Sequence, residues 1–279
     1  MQIMKTRILS LLTLLFVATS CEKVIDESFA PFTLADEGKV INEDANDYLY
    51  ASSLTRDKVF TVNGVSFTMV RVAGGTFTMG NNTDESSSPE HEVTLSTYYI
   101  GSTEVTQELY KAVMGSCPTS YKQPHSPVGK VTHQQATAFV DKLRILTGYA
   151  FCLPTEAQWE FAARGGNKSR GYEFSGSNKK REVGYFSQNG TEPKPVKSYR
   201  PNELGIYDMT GNMEEWCSDW HGDYPSSATT NPVGPTSGKG HVIRGGSWYS
   251  LDSYAKVYYR SWMFDSKAFS DTGFRIALR

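Results

Sequence analysis

Thiols, imidazoles and activated hydroxyls are the side chains that would bring chemistry to this chain, and all three are scattered along it. The four cysteines, Cys21, Cys117, Cys152 and Cys217, include no pair at the CxxC spacing of a redox couple or a zinc half-site. The five histidines, His91, His125, His133, His221 and His241, show no HxxxH-like spacing. His91 opens a strand and His133 sits in a helix's first turn, so surface and capping roles are expected of them. Ser247 and Ser250 follow a Gly-Gly pair, but neither lies in the GxSxG elbow that strains a serine into a nucleophile. What is concentrated is aromatic. The stretch RGGSWYSLDSYAKVYYRSW, Arg244 to Trp262, sets six rings among Ser250, Asp252, Ser253 and Arg260. Rings give broad contact area at little rotamer cost, and short polar groups add adaptable hydrogen bonds. Such a mix can recognise a ligand without reacting with it.

Residues of this kind need a folded scaffold. With 279 residues, 39% apolar and 21% charged, the chain can bury one sizeable core. A net charge of -2 and no lysine or arginine run make nucleic acid an unexpected partner. Val59 to Val62, Asn63-Gly64 and Val65 to Val70 form a predicted hairpin, because Asn-Gly favours the type I′ turn. Thr76 to Gly80 and Glu92 to Ile100 are two further predicted strands. Three helices are punctuated: Thr106 caps Leu109, Tyr110, Val113 and Met114, with Gly115 as the stop. Thr132 and Gln135 form a capping box ahead of Ala136, Phe139, Val140 and Leu143, ending at Gly148, and Thr155 with Gln158 repeats the device before Gly165-Gly166. Beyond Gly166 helix signals vanish, and only brief strands such as His241 to Arg244 and Phe274 to Leu278 remain. The expected class is α/β (α+β), with short helices, small sheets and long structured loops. Such loops need side chains or bound cations to satisfy their backbone. Alternation buries about half of the C-terminal rings; Trp216 and Trp248 are the expected structural ones, and Tyr249, Ser250, Asp252 and Tyr254 the expected exposed positions.

Lys5 and Arg7 precede the apolar run Ile8 to Ala18, too short to span a bilayer comfortably but suited to a secretion signal. Ala18-Thr19-Ser20-Cys21 resembles a bacterial lipobox, although a larger aliphatic residue is usual where Ala18 stands. The resemblance implies cleavage before Cys21 and lipid on that residue, which anchors the mature protein to a membrane. The expected organisation is a signal peptide over 1–20, an acidic tether over 21–58 and a folded domain over 59–279. The expected location is the bacterial cell envelope, as an outer-membrane lipoprotein. Cys117, Cys152 and Cys217 are then an odd set; one bridge is possible in an oxidising compartment, and buried thiols are expected.

Five blocks carry a family resemblance: MVRVAGGTFTMG from Met69, LPTEAQWEFAARGG from Leu153, NELGIYDMTGNMEEW from Asn202, RGGSW from Arg244 and GFR from Gly273. In this order, across Thr68 to Arg279, they resemble the formylglycine-generating enzyme, or sulfatase-modifying factor, family. The resemblance implies a fold related to C-type lectins. Aerobic enzymes of the family hold copper on two cysteines a few residues after the Gly-Gly-Ser turn, since two thiolates suit soft Cu(I) in linear geometry. Carried forward, those positions fall at Ser250 and Ala255, so neither copper nor a catalytic residue is expected. Iron-dependent relatives take their histidines largely from an extra helical domain, for which this chain has no room. The resemblance further implies a structural calcium ion held by the side chains of Asp208 and Glu215 and the carbonyls of Gly211 and Met213; hard oxygens from a flexible loop suit Ca2+. The same scaffold carries the hypervariable binding surfaces of retroelement-diversified receptors, and this tail is similar in placement and residue mix. The expectation is a catalytically silent member that binds a protein or glycan through Tyr249, Ser250, Asp252, Tyr254, Tyr258, Arg260 and Trp262. The alternatives are a formylglycine-generating oxidase acting on sulfatase cysteines through an unrecognised site, and a structural subunit of a surface assembly.

Overall fold

Asn63 and Gly64 turn the chain with φ of 48° and 82°, the left-handed pair that a type I′ hairpin requires. They join β1 (Lys58–Val62) to β2 (Val65–Val72) in the expected register, Val62 opposite Val65. The computed structural model describes residues 56–186 and 192–279. The signal segment 1–20, Cys21 and the tether up to residue 55 lie outside the described residues. β2 pairs with β5 (Tyr98–Gly101), and the last strand, β12 (Ala277–Leu278), inserts between β5 and β6 (Phe151–Cys152). This gives a five-stranded antiparallel sheet in the order β1-β2-β5-β12-β6.

The predicted strand from Glu92 to Ile100 is two strands in two sheets. β4 (His91–Leu95) pairs with β3 (Gly75–Met79) and takes β8 (Thr229–Thr230) in parallel on its other side. The corner between β4 and β5 is tied by side chains: Ser96 N donates to Asn231 Oδ1 at 2.8 Å, and Gly74 N to Thr97 Oγ1 at 3.1 Å. Backbone groups that leave a ladder there are thereby satisfied. A third sheet runs β10 (Arg260–Met263), β9 (His241–Arg244), β7 (Glu214–Trp220), β11 (Thr272–Gly273), the last pair parallel. The predicted strand Phe274 to Leu278 is shorter than expected. β11 ends before it, in the third sheet, and β12 occupies only its last residues, in the first.

The helix signals hold in detail. In α1 (Gln107–Met114) Thr106 Oγ1 accepts from Leu109 N; α2 (His133–Thr147) and α3 (Glu156–Ala163) open with complete capping boxes at Thr132 and Thr155. Gly115 and Gly148 close α1 and α2 in the left-handed conformation. The apolar faces of α1 and α2 pack with Trp216, Phe274 and Ile276 into one core. α3 is different: every residue is buried, including Glu156 and Glu160. Buried carboxylates need partners, and the partners come from the C-terminal third of the chain. A single α-helical turn, α4 (Lys180–Val183), and three short 3-10 helices among the described residues were not revealed by sequence signals.

Candidate functional site

The aromatic stretch leaves β9 through Gly245 and Gly246, whose φ values are 93° and 63°. A Cβ on Gly246 would stand 3.1 Å from that of Ala255, so the turn is closed against the returning chain. Both ends of the loop are clamped to α3. Arg244, fully buried, pairs with Glu160 and donates to the carbonyls of Val257 and Tyr258 at 3.1 and 2.9 Å. Arg260 grips Glu156 with two bonds of 2.7 and 2.8 Å and lies 4.1 Å over the ring of Tyr224. Although burial pushes it up, the Arg260 and Arg244 guanidiniums hold the Glu156 carboxyl below its ordinary range.

Between the clamps the chain reaches solvent. Tyr249 is 64% exposed, Leu251 47% and Tyr254 40%. Tyr254 stacks on Tyr259 with centroids 4.7 Å apart. Asp252 forms an ion pair with Lys180 across a cleft of about 500 Å³, lined also by Glu173, Asn178, Arg181 and Lys256. Ser250 faces inward: its Oγ accepts from Ser247 N at 3.0 Å and lies 3.0 Å from Ser247 Oγ, which donates to Asp271 Oδ2 at 2.7 Å. Tyr258 and Arg260 are corrected as contact residues. They are only 9% and 4% exposed: Arg260, the first residue of β10, turns onto Glu156 of α3, while Tyr258, ahead of that strand, lies in the same buried apolar cluster as Ala157, Trp159 and Phe161. Trp262 is partly exposed on β10, edge-on to Phe264 at 5.2 Å. Leu251, Phe264 and Phe269 are exposed large side chains that the sequence reading missed; only Leu251 had a signal, its position between Tyr249 and Tyr254.

The turn at Asp208 lies against the same glycine pair, with Gly211 N donating to Gly245 O at 2.8 Å. Asp208 is buried, has a φ of 59°, and accepts from Lys197 N at 2.8 Å. Glu215 receives Arg275 at 2.6 and 2.7 Å and Trp159 Nε1 at 2.7 Å. Glu104 shares this interior. Its Oε1 accepts from Asn212 at 3.0 Å, while Oε2 has no hydrogen-bond partner among the described residues. Three buried carboxylates thus face one guanidinium. Burial, reinforced by neighbouring carboxylates, raises Asp208 to about 6 and Glu104 well above the ordinary range. A cation would relieve that conflict. Asp208 and Glu215 are hard-oxygen donors whose carboxylates keep lone pairs beyond those that Lys197, Arg275 and Trp159 occupy, which is the donor chemistry a calcium ion takes.

Residues 58–279 match the family described as the sulfatase-modifying factor enzyme 1-like domain. The chain belongs to this family. It is 33% identical to chaperone protein LppX of Paenibacillus barcinonensis, over 76% of this chain and 89% of that one. It is 38% identical to the formylglycine-generating enzyme of Streptomyces coelicolor, but over 49% of this chain and 46% of the enzyme. Among solved structures it resembles Treponema denticola variable protein 1, with a TM-score of 0.75 at 34% identity, covering 80% of this chain and 99% of that one. PvdO from Pseudomonas aeruginosa follows at 0.66 and 25%, covering 80% and 98%. The expected C-type-lectin-related fold with short helices and small sheets is the fold of this sulfatase-modifying-factor domain.

At the two positions onto which the family's copper-binding cysteines are expected to fall, Ser250 Oγ lies 3.0 Å from Ser247 Oγ and Ala255 is fully buried. The thiols lie elsewhere: Cys152 is buried in β6, Cys217 is buried in β7 with burial pushing its thiol well up, and Cys117 is half-buried beyond α1. The histidines are less scattered than their spacing implies. His133 and His241 stack at 3.5 Å and 9°, Trp220 covers the other face of His241 at 3.9 Å, and His241 Nδ1 lies 2.6 Å from Asp265 Oδ1. His133 Nε2 lies 3.1 Å from the Cys217 carbonyl. Burial and the neighbouring His241 lower the His133 imidazole to about 4. His91 is buried edge-on to Tyr224, and His125 pairs with Glu108 at the surface.

Proposed function

We propose that this sulfatase-modifying-factor domain is a recognition module without formylglycine-generating activity, carried on a bacterial envelope by lipid at Cys21. Its ligand, a protein or glycan, is bound by Tyr249, Leu251 and Tyr254 together with the Asp252 cleft; Trp262 and Phe264 extend the surface. The observation that carries this reading is the replacement of the copper-binding pair. Ser250 offers a hard oxygen already engaged by Ser247, and Ala255 offers only a methyl, so the site that grips Cu(I) in the family's oxidases has lost both soft donors. The loop has kept its clamps to α3 and projects rings instead. A binding rather than a catalytic role is in keeping with the similarity to a protein named chaperone protein LppX and to one named variable protein 1. A structural calcium ion at Asp208, Gly211, Met213 and Glu215 holds the turn against Gly245 and so fixes the base of the loop.

Two experiments test this. Capture of envelope proteins and arrayed glycans should be lost in Tyr249→Ala/Tyr254→Ala while the far-UV spectrum and melting curve are retained; full capture by that variant removes the loop from the reading. Incubation with copper, oxygen and a sulfatase-motif peptide should leave the peptide's mass unchanged, and conversion of its cysteine to formylglycine would make the protein an oxidase.

A further inference from the structure

His133, His241 and Asp265 come together from three elements: the first residue of α2, the first residue of β9 and the segment after β10. One nitrogen from each ring and one carboxylate oxygen all lie within 4.8 Å of one another. We propose that these three side chains form a site for a divalent late transition-metal ion of the zinc class. Two imidazoles and a carboxylate suit such an ion, whereas calcium takes oxygen donors throughout.

Hydrogen-bond roles assign the donors. A carbonyl only accepts, so His133 Nε2, 3.1 Å from Cys217 O, carries the hydrogen and leaves the Nδ1 lone pair open. A second ring nitrogen pinned to a backbone carbonyl is the arrangement that orients metal-bound histidines. His241 Nδ1 and Asp265 Oδ1 share a hydrogen at 2.6 Å. The ion takes the place of that hydrogen, with His241 and Asp265 as two ligands and His133 Nδ1 as the third. Rings stacked at 9° hold their lone pairs side by side rather than convergent, so binding splays the two imidazoles apart. The Asp265 side chain is 27% exposed, which gives the ion a way in and leaves a fourth position for water. The ion would tie the segment bearing the exposed Phe264 and Phe269 to the start of α2 and of β9, stiffening one side of the aromatic surface.

Calorimetric titration of zinc chloride into the purified protein, free of affinity-tag histidines and in excess calcium to fill hard-oxygen sites, should give one ion per chain. Cobalt(II) in its place should develop the visible absorption of a low-symmetry imidazole–carboxylate site. His241→Ala should abolish saturable zinc binding, and Asp265→Asn should weaken it by about tenfold or more. Absence of saturable binding to the wild-type protein overturns the site, as does wild-type affinity in any folded variant. If circular dichroism finds His241→Ala unfolded, the partly exposed Asp265→Asn decides alone.

Discussion

Replacing Arg275 by methionine should damage this domain more than most single changes, by an amount that follows from its partners. Arg275 is fully buried; it grips Glu215 at 2.6 and 2.7 Å and donates to the carbonyls of Gly101 and Tyr207 at 3.0 Å each. Methionine fills much of the volume but leaves the Glu215 carboxylate with Trp159 as its remaining donor, beside Glu104 and Asp208. Removing one partner of a buried ion pair costs about 3–5 kcal/mol. At about 2–4 °C per kcal/mol for a domain of this size, the melting midpoint should fall by about 6–20 °C. Glu215→Gln keeps an oxygen for Trp159 Nε1 while deleting the charge, so the double variant should be more stable than the two single losses summed by about 2 kcal/mol. Because a bound divalent cation can stand in for the lost guanidinium, calcium should raise the midpoint of Arg275→Met more than that of the wild type. Urea and thermal unfolding, each with excess calcium and with chelator, measure all of these quantities. An Arg275→Met protein within about 1 kcal/mol of wild type, or strict additivity of the pair, would refute the electrostatic account of this interior.

Chelation by EDTA should lower the melting temperature of the wild-type protein by about 5–11 °C if calcium is present at about 100 times its dissociation constant, equivalent to about 2.7 kcal/mol; an unchanged midpoint with no calcium by elemental analysis would remove the ion. Thr155→Ala and Thr132→Ala should each cost about 1 kcal/mol in urea unfolding. The buried Thr155 should cost the more, because its orphaned amide has no water to turn to. Burial, with the nearby Glu156 charge, raises Asp219 from 3.8 to about 7. Its contribution to stability is therefore present in acid and lost as pH climbs through about 7, and Asp219→Asn should flatten that decline. In the metal-free protein His133 works in the opposite sense: lowered from 6.5 to about 4, it contributes above pH 6.5 and loses that contribution as pH falls toward about 4, a loss that His133→Asn should remove.

Some of this protein was legible before any coordinates. The hairpin at Asn63-Gly64, the three threonine caps and the glycine stops of α1 and α2 follow from hydrogen bonds and backbone angles spanning a few residues, so neighbouring letters suffice. The family blocks, and the serine and alanine at the copper positions, are likewise matters of residue identity. Which rings face out was not legible in the same way. Tyr258 and Arg260 read as surface partners of Tyr249 and Tyr254, yet β10 pairs Arg260 with Arg244 of β9 and both guanidiniums drop onto Glu156 and Glu160 of a wholly buried helix. Nor could spacing reveal that His133 and His241, far apart in the chain, stack face to face. Local rules act through bonds that each segment makes with itself, whereas burial and side-chain encounter depend on which distant strand packs across a segment, and that pairing leaves no periodic trace in either partner.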